Sequence, residues 1–116
     1  MFQYTDYTDE ALTPNMAVSL SLNGVLSVQG NSPAHGVCVS STFKNETNTY
    51  ENVIYVAGGP GVQVKLGVEW DGKLTRCTFR NGYVLPTVSK GQGWIAPEVL
   101  EEQKLEGDLG QVILYA

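Results

Sequence analysis

Between residues 62 and 70 the chain alternates strictly: Val62, Val64, Leu66, Val68 and Trp70 interleave with Gln63, Lys65, Gly67 and Glu69, and Asp71-Gly72 follows. A two-residue period is that of a strand with one face buried, and a helix cannot satisfy it. Asx-Gly at the end of such a run marks a turn, so the stretch predicts a hairpin returning towards Arg80. A three-residue loop Trp70-Asp71-Gly72 sets Glu69 opposite Lys73 and Val68 opposite Leu74. A two-residue turn would set Leu74 against Glu69, so the longer loop is predicted. Beyond Leu74 the alternation slips one place, which predicts a bulge near Thr75-Arg76 that returns Cys77 and Phe79 to the core face.

The same pattern recurs elsewhere. Met16, Val18 and Leu20 alternate with Ala17, Ser19 and Ser21, and Asn23-Gly24 turns the chain back along 25–29. A three-residue loop Leu22-Asn23-Gly24 pairs Ser21 with Val25, Leu20 with Leu26 and Val18 with Val28 on one apolar face. A third strand region begins at His35, residues 44–52 read as a polar surface loop, and 53–57 as a short strand. Arg80-Asn81-Gly82 is a turn into Tyr83-Val84-Leu85, and Pro86 marks a sheet edge or strand end. Trp94-Ile95-Ala96 is extended, and 111–115 is a closing strand. Residues 97–104, with Pro97 at a helix-start position and Glu98, Glu101 and Glu102 early, predict one or two helical turns with a solvated acidic face.

Eight or nine short strands, three Asx-Gly hairpins and at most one short helix define an all-β domain, a small β-sandwich or a partly closed β-barrel. Residues 1–14 fit no sustained period: Phe2, Tyr4, Tyr7 and Leu12 are scattered among Asp6, Asp9 and Glu10. They read as an extended N-terminal arm before a single β domain, 15–116. Aromatic side chains on a polar segment are costly to leave in water, so they dock on a neighbouring surface or fold back on the domain itself. Every hairpin register closes without the first thirteen residues, so their deletion is expected to leave the fold intact. Several unpaired sheet edges on so small a domain favour a homo-oligomer, a trimer foremost, which buries them between copies.

With 116 residues the chain can bury one modest core. The net charge of -5 and seven scattered cations argue against nucleic acid as a partner. No apolar run approaches the ~18 residues of a membrane span, and no secretory signal pattern opens the chain, so a reducing cytosol or a particle assembled there is expected. Cys38 and Cys77 then read as reduced, buried thiols, and the sequon Asn45-Glu46-Thr47 as accidental.

Candidate chemistry is thin, and no enzyme activity, cofactor or metal is expected. His35 and Cys38 lie three apart on a strand, hence on opposite faces, with no nearby acid to orient the ring. Asp71 and Asp108 occupy turn positions where Asp bonds the backbone, which accounts for them and Glu69 without a carboxylate pair. Residues 58–61, Gly-Gly-Pro-Gly, precede a strand rather than a helix and so do not form a phosphate loop. Trp70 and Trp94 suit packing, subunit contact, or stacking on a sugar if exposed.

The order of several segments resembles the head-decoration (capsid cement) proteins of tailed bacteriophages. Leu12-Thr13-Pro14-Asn15-Met16-Ala17-Val18, Gly24-Val25-Leu26 and Ala34-His35-Gly36-Val37-Cys38-Val39 are similar to the opening of that module. Val62-Gln63-Val64, Gly93-Trp94-Ile95-Ala96, Gly107-Asp108 and Gln111-Val112-Ile113-Leu114 are similar to its closing half. Residues 44–52 and 98–106 are longer than that compact pattern. The resemblance implies a structural protein of the virion, on the outside of an icosahedral head. There it would bind and bridge neighbouring major capsid protein subunits, commonly as a trimer, with the arm reaching the shell. Phe2, Tyr4, Asp6, Tyr7, Asp9 and Leu12 are the expected capsid-binding residues. The alternatives are a non-catalytic tail or baseplate module and a carbohydrate-binding β module.

Overall fold

Two places where apolar residues stand side by side in sequence, Ala17-Val18 and Val37-Cys38, explain the architecture better than any alternating run. Neighbours on a strand face opposite ways, so a strand with two adjacent buried side chains must be covered on both faces. The computed structural model describes residues 3–8, 10–30, 32–44, 49–56, 61–89, 91 and 93–114. Ten strands are formed among them: β1 (Gln3–Thr8), β2 (Ala17–Ser21), β3 (Gly24–Ser27), β4 (Gly36–Lys44), β5 (Thr49–Val56), β6 (Val62–Lys65), β7 (Thr75–Arg80), β8 (Tyr83–Thr87), β9 (Gly93–Ile95) and β10 (Leu109–Leu114). They build two five-stranded antiparallel sheets, ordered β1-β5-β4-β2-β3 and β6-β10-β9-β7-β8. The protein is an all-β sandwich without a closed barrel.

Between the sheets lies the larger core. Ala17, Val28 and Val37 come from the first sheet and meet Val62, Val64, Leu66, Trp70, Cys77, Phe79, Val84, Ile95 and Val112. The opposite face of the first sheet carries a second core of Val18, Val25, Cys38 and Ile54, closed by Leu12 and Met16, with Tyr83 against it. Thr8 and segment 10–16 therefore form a lid on that face. Thr8 is fully buried, and its hydroxyl donates to the Val25 carbonyl, bringing the end of β1 back against β3.

Among the described residues the sheets are joined at two seams. At one, Asn15 sits in the left-handed region, φ 68°, which Asn tolerates better than other non-glycine residues. Its N–H donates to the Cys38 carbonyl (2.8 Å), its Nδ2 to the Gln63 carbonyl (3.0 Å), and its own carbonyl accepts the Lys65 N–H (3.0 Å). At the other, the β7–β8 turn docks on the β2–β3 ribbon: Ala17 N–H donates to Gly82 O (2.8 Å), Gly82 N–H to Val28 O (3.0 Å) and Gly30 N–H to Phe79 O (2.7 Å). Asn81 and Gly82, at φ 51° and 80°, make the predicted tight turn, and Pro86 falls on the edge strand β8.

Several sequence expectations are corrected. Residues 3–8 form strand β1, paired with β5 from Gln3↔Tyr55 to Thr8↔Tyr50, rather than an arm without strand character. Leu12 is core, so deletion of 1–13 would uncover the second cluster. The 62–80 hairpin does not form. β6 pairs with β10, Leu66 bridges Val84 and Trp70 bridges Lys104. Asp71-Gly72 is only a local turn, with Lys73 N–H on Asp71 Oδ1 (3.0 Å). Cys77 and Phe79 do face the core, without a bulge at Thr75-Arg76; the irregularity lies in β4 between Cys38 and Ser40. The β2–β3 turn has two residues, not three. Ser21 pairs with Gly24, Leu20 with Val25 and Val18 with Ser27, so Val18 and Val28 enter different cores. The Ser21 hydroxyl closes this turn, accepting from Asn23 N–H (3.2 Å) and donating to Gly24 O (2.8 Å). Within the segment read as a polar loop, Lys44 ends β4 and 49–52 open β5, while 45–48, with the sequon, lie outside the described residues. No helix forms over 97–104, where Glu101 has φ 58°, incompatible with a helical turn.

Candidate functional site

The six residues expected to bind a shell do not form one patch. Leu12 is buried in the second core and is unavailable to any partner, which removes it from the set. Phe2 and Asp9 lie outside the described residues. Tyr4, Asp6 and Tyr7 stand on β1, the outermost strand of its sheet, with about half of each tyrosine exposed. Tyr4 and Asp6 share a face and Tyr7 points the opposite way. Tyr7 lies against the β2–β3 turn: its ring and carbonyl crowd Gly24, where a Cβ would come within 2.7 Å of the Tyr7 oxygen. Asp6 Oδ1 accepts the Tyr7 N–H (2.8 Å), and the Tyr7 hydroxyl is 3.5 Å from the Leu22 carbonyl. At the far end of the strand, Thr8 and Glu10 are tied to β3, the latter through Ser27 N–H to Glu10 Oε2 (3.3 Å). Among the described residues no strand pairs with the outer edge of β1 before Tyr7, and no Pro, Lys or bulge within the strand guards it.

His35 is exposed, its Nδ1 accepting the Leu20 N–H at 2.9 Å with Ser19 Oγ at 3.5 Å. Cys38 instead points into the second core, its thiol donating to the Ser40 carbonyl (3.5 Å), so the two do not form a nucleophile–base pair. Cys38 and Cys77 are free, buried thiols, as expected from their strand positions. Burial pushes Cys38 up to about 11 and Cys77 up to about 12, because the thiolate loses its hydration. Both are chemically quiet. Asp71 and Asp108 each hold a turn amide, Asp108 Oδ2 accepting Leu105 N–H (2.9 Å), which is the backbone role their positions predicted.

Trp70 is buried in the larger core with its indole N–H on the Lys73 carbonyl (2.9 Å), which withdraws it from any sugar. Trp94 is half-buried on β9 beneath the Arg76 guanidinium, 5.6 Å from the ring centroid. A cleft of about 330 Å³ opens beside the β4 bulge, lined by Asn15, Val37, Cys38, Val39, Gly61, Val62 and Gln63. Its walls offer only uncharged side chains, and no grouping of His, Cys, Asp and Glu among the described residues could hold a metal. No described helix is long and apolar enough to cross a membrane.

The surface that sequence reasoning passed over is at the other sheet. There, segment 97–109 packs on the 66–74 loop, joined by reciprocal Trp70–Lys104 backbone bonds of 3.0 and 2.9 Å. Exposed leucines and valines stand among carboxylates there, a pattern hidden in sequence by the helical reading of that segment. No protein-family model, curated protein or solved structure matches the chain.

Proposed function

We propose that this chain is a non-catalytic structural protein of a bacteriophage virion that decorates the outside of the assembled head, binding the major capsid protein and bridging its neighbouring copies. What supports the reading is the order of motifs from Leu12 to Leu114 together with one structural observation, the open edge of β1 bearing exposed Tyr4 and Tyr7. An unguarded edge can add a strand of a partner, main-chain hydrogen bonds supplying affinity and flanking aromatic rings the buried apolar area. Asp6 beside them favours a cationic shell surface. A ligand that binds only the expanded lattice stabilises it by RT ln(1 + [L]/Kd) per site, so many weak bridges together resist internal pressure. Purified virions made with this chain should contain it in stoichiometric numbers comparable to capsid subunits, by quantitative mass spectrometry. Tyr4→Ser with Tyr7→Ser should release it from the shell while it stays folded by circular dichroism. Absence from virions refutes the reading.

A further inference from the structure

The formal charge of this protein is concentrated at one place. Seven of the twelve carboxylates and two of the seven cations fall in 69–73 and 98–108, so the remainder of the chain is formally neutral and these two segments carry the whole -5. They are neighbours in space: Trp70 and Lys104 pair through their backbones, and Gly72, at φ 79°, lies so close to Glu102 that a Cβ would collide with its backbone. Lys104 is turned onto its own loop, Nζ donating to the Leu109 carbonyl at 2.9 Å. Asp71 and Asp108 are occupied with turn amides, and Glu98 accepts Gln63 Nε2 at 2.7 Å. Glu69, Glu101, Glu102 and Glu106 are exposed.

The same end exposes apolar side chains that a solvated acidic loop has no reason to carry. Leu100 is 80% exposed, Leu74 61%, Val99 60% and Leu105 57%. Leu74 also lines, with Trp70, Pro86, Thr87 and Val88, an open groove of about 740 Å³ between the 69–75 turn and the end of β8. Single exposed leucines are ordinary, whereas several on one end, interleaved with carboxylates, form the kind of patch that marks a contact.

We propose that this end of the sandwich is a docking surface for a cationic segment of a partner protein, one that sets lysine or arginine against Glu101, Glu102 and Glu106 and apolar side chains against Leu74 and Leu100. Charge complementarity selects that occupant. Nucleic acid and anionic membranes carry the surface's own sign and are repelled, and a second copy docking by the same end would bring two concentrations of negative charge together. The inference stands apart from the β1 edge and does not depend on the identity of the shell.

The test uses the whole protein and a synthetic peptide alternating lysine and leucine, with a lysine–serine peptide of equal charge and a glutamate–leucine peptide as controls. The lysine–leucine peptide should saturate the protein about tenfold more tightly than the lysine–serine peptide, and the glutamate–leucine peptide should not bind. Amide shifts should centre on 69–74 and 98–108. Combined Glu101→Lys, Glu102→Lys and Glu106→Lys substitution should weaken binding about tenfold, and Leu100→Ser alone should weaken it several-fold. No saturable binding, binding that ignores the lost leucines, binding that survives the charge reversal, or shifts centred on β1 would each overturn the proposal. So would a dimer that Leu100→Ser dissociates in sedimentation, since a second copy would then be the occupant. The amide-shift map needs no variant and decides the matter even if a substituted chain does not fold.

Discussion

Asn15 is the residue on which both sheets converge, since it bonds β4 on one side and β6 on the other from a left-handed backbone. Asn15→Ala removes the Nδ2 bond and places a less tolerant residue at φ 68°, and should cost about 1–3 kcal/mol. Asn15→Gly keeps the backbone and loses only the bond, so it should cost about 1 kcal/mol. Urea denaturation distinguishes the two, and equal stability of both variants with the parent would refute this role. The cysteines act through pH. Each thiol is pushed up from 9.0, to about 11 at Cys38 and about 12 at Cys77, so the folded state holds its proton where the unfolded state has lost it. Their contribution to stability is whole below pH 9 and is lost as pH climbs from there through the folded values. The loss of stability above pH 9 should therefore be shallower in Cys77→Ala than in the parent, and native thiols should label slowly at neutral pH.

At the scale of elements, the N-terminal segment is part of the first sheet and of its second core. Thr8 and Leu12 are buried, and Leu12 and Met16 cover Val18, Val25, Cys38 and Ile54. Leu12→Ala should cost about 2–5 kcal/mol, and removal of 1–13 should lower the melting temperature sharply, whereas Tyr4→Ser should leave it nearly unchanged. A truncated protein as stable as the parent would show that the lid is dispensable. The 69–73 turn depends on Gly72 in a comparable way. Gly72→Ala meets both an unfavourable φ of 79° and the Glu102 backbone, and should cost about 1–3 kcal/mol or more, with the 97–109 segment displaced in amide-exchange measurements. Asp71→Ala loses only a turn bond and should cost less.

For the whole molecule, the sandwich measures 47 × 25 × 25 Å, and the two long strands β4 and β5, of nine and eight residues, span about 30 and about 26 Å at roughly 3.3 Å per residue. Its four edge strands are β1, β3, β6 and β8. β8 carries Pro86, β3 is met by Thr8 and Glu10, and β6 is met by Asn15 at Gln63 and Lys65, which leaves β1 as a route by which copies can join. Light scattering at micromolar concentration should find an oligomer, a trimer foremost, that withstands Glu101→Lys, since the acidic end lies on the other sheet. A monomer would remove self-association from the proposal while leaving shell binding to be tested on the shell.

Periodicity along the chain was enough to identify an all-β protein, to put Val62, Val64, Leu66, Trp70, Cys77 and Phe79 inside, and to place a turn at Asn81-Gly82 with an edge at Pro86. Those properties follow from local sterics and from the side-chain period of a strand. The Asx-Gly turns at 23–24 and 81–82 also announced the β2–β3 and β7–β8 pairings, whereas pairings between strands not joined by a tight turn were decided only by tertiary structure, because alternation says which face is buried and nothing about who supplies the partner hydrogen bonds. β6 therefore found β10, forty-odd residues away, instead of β7. The burial of Leu12, the double-faced burial of β2 and β4, and the gathering of the whole net charge beside Leu100 likewise depend on contacts between segments distant in sequence. No window of a few residues carries such contacts, and only the closed sandwich brings them about.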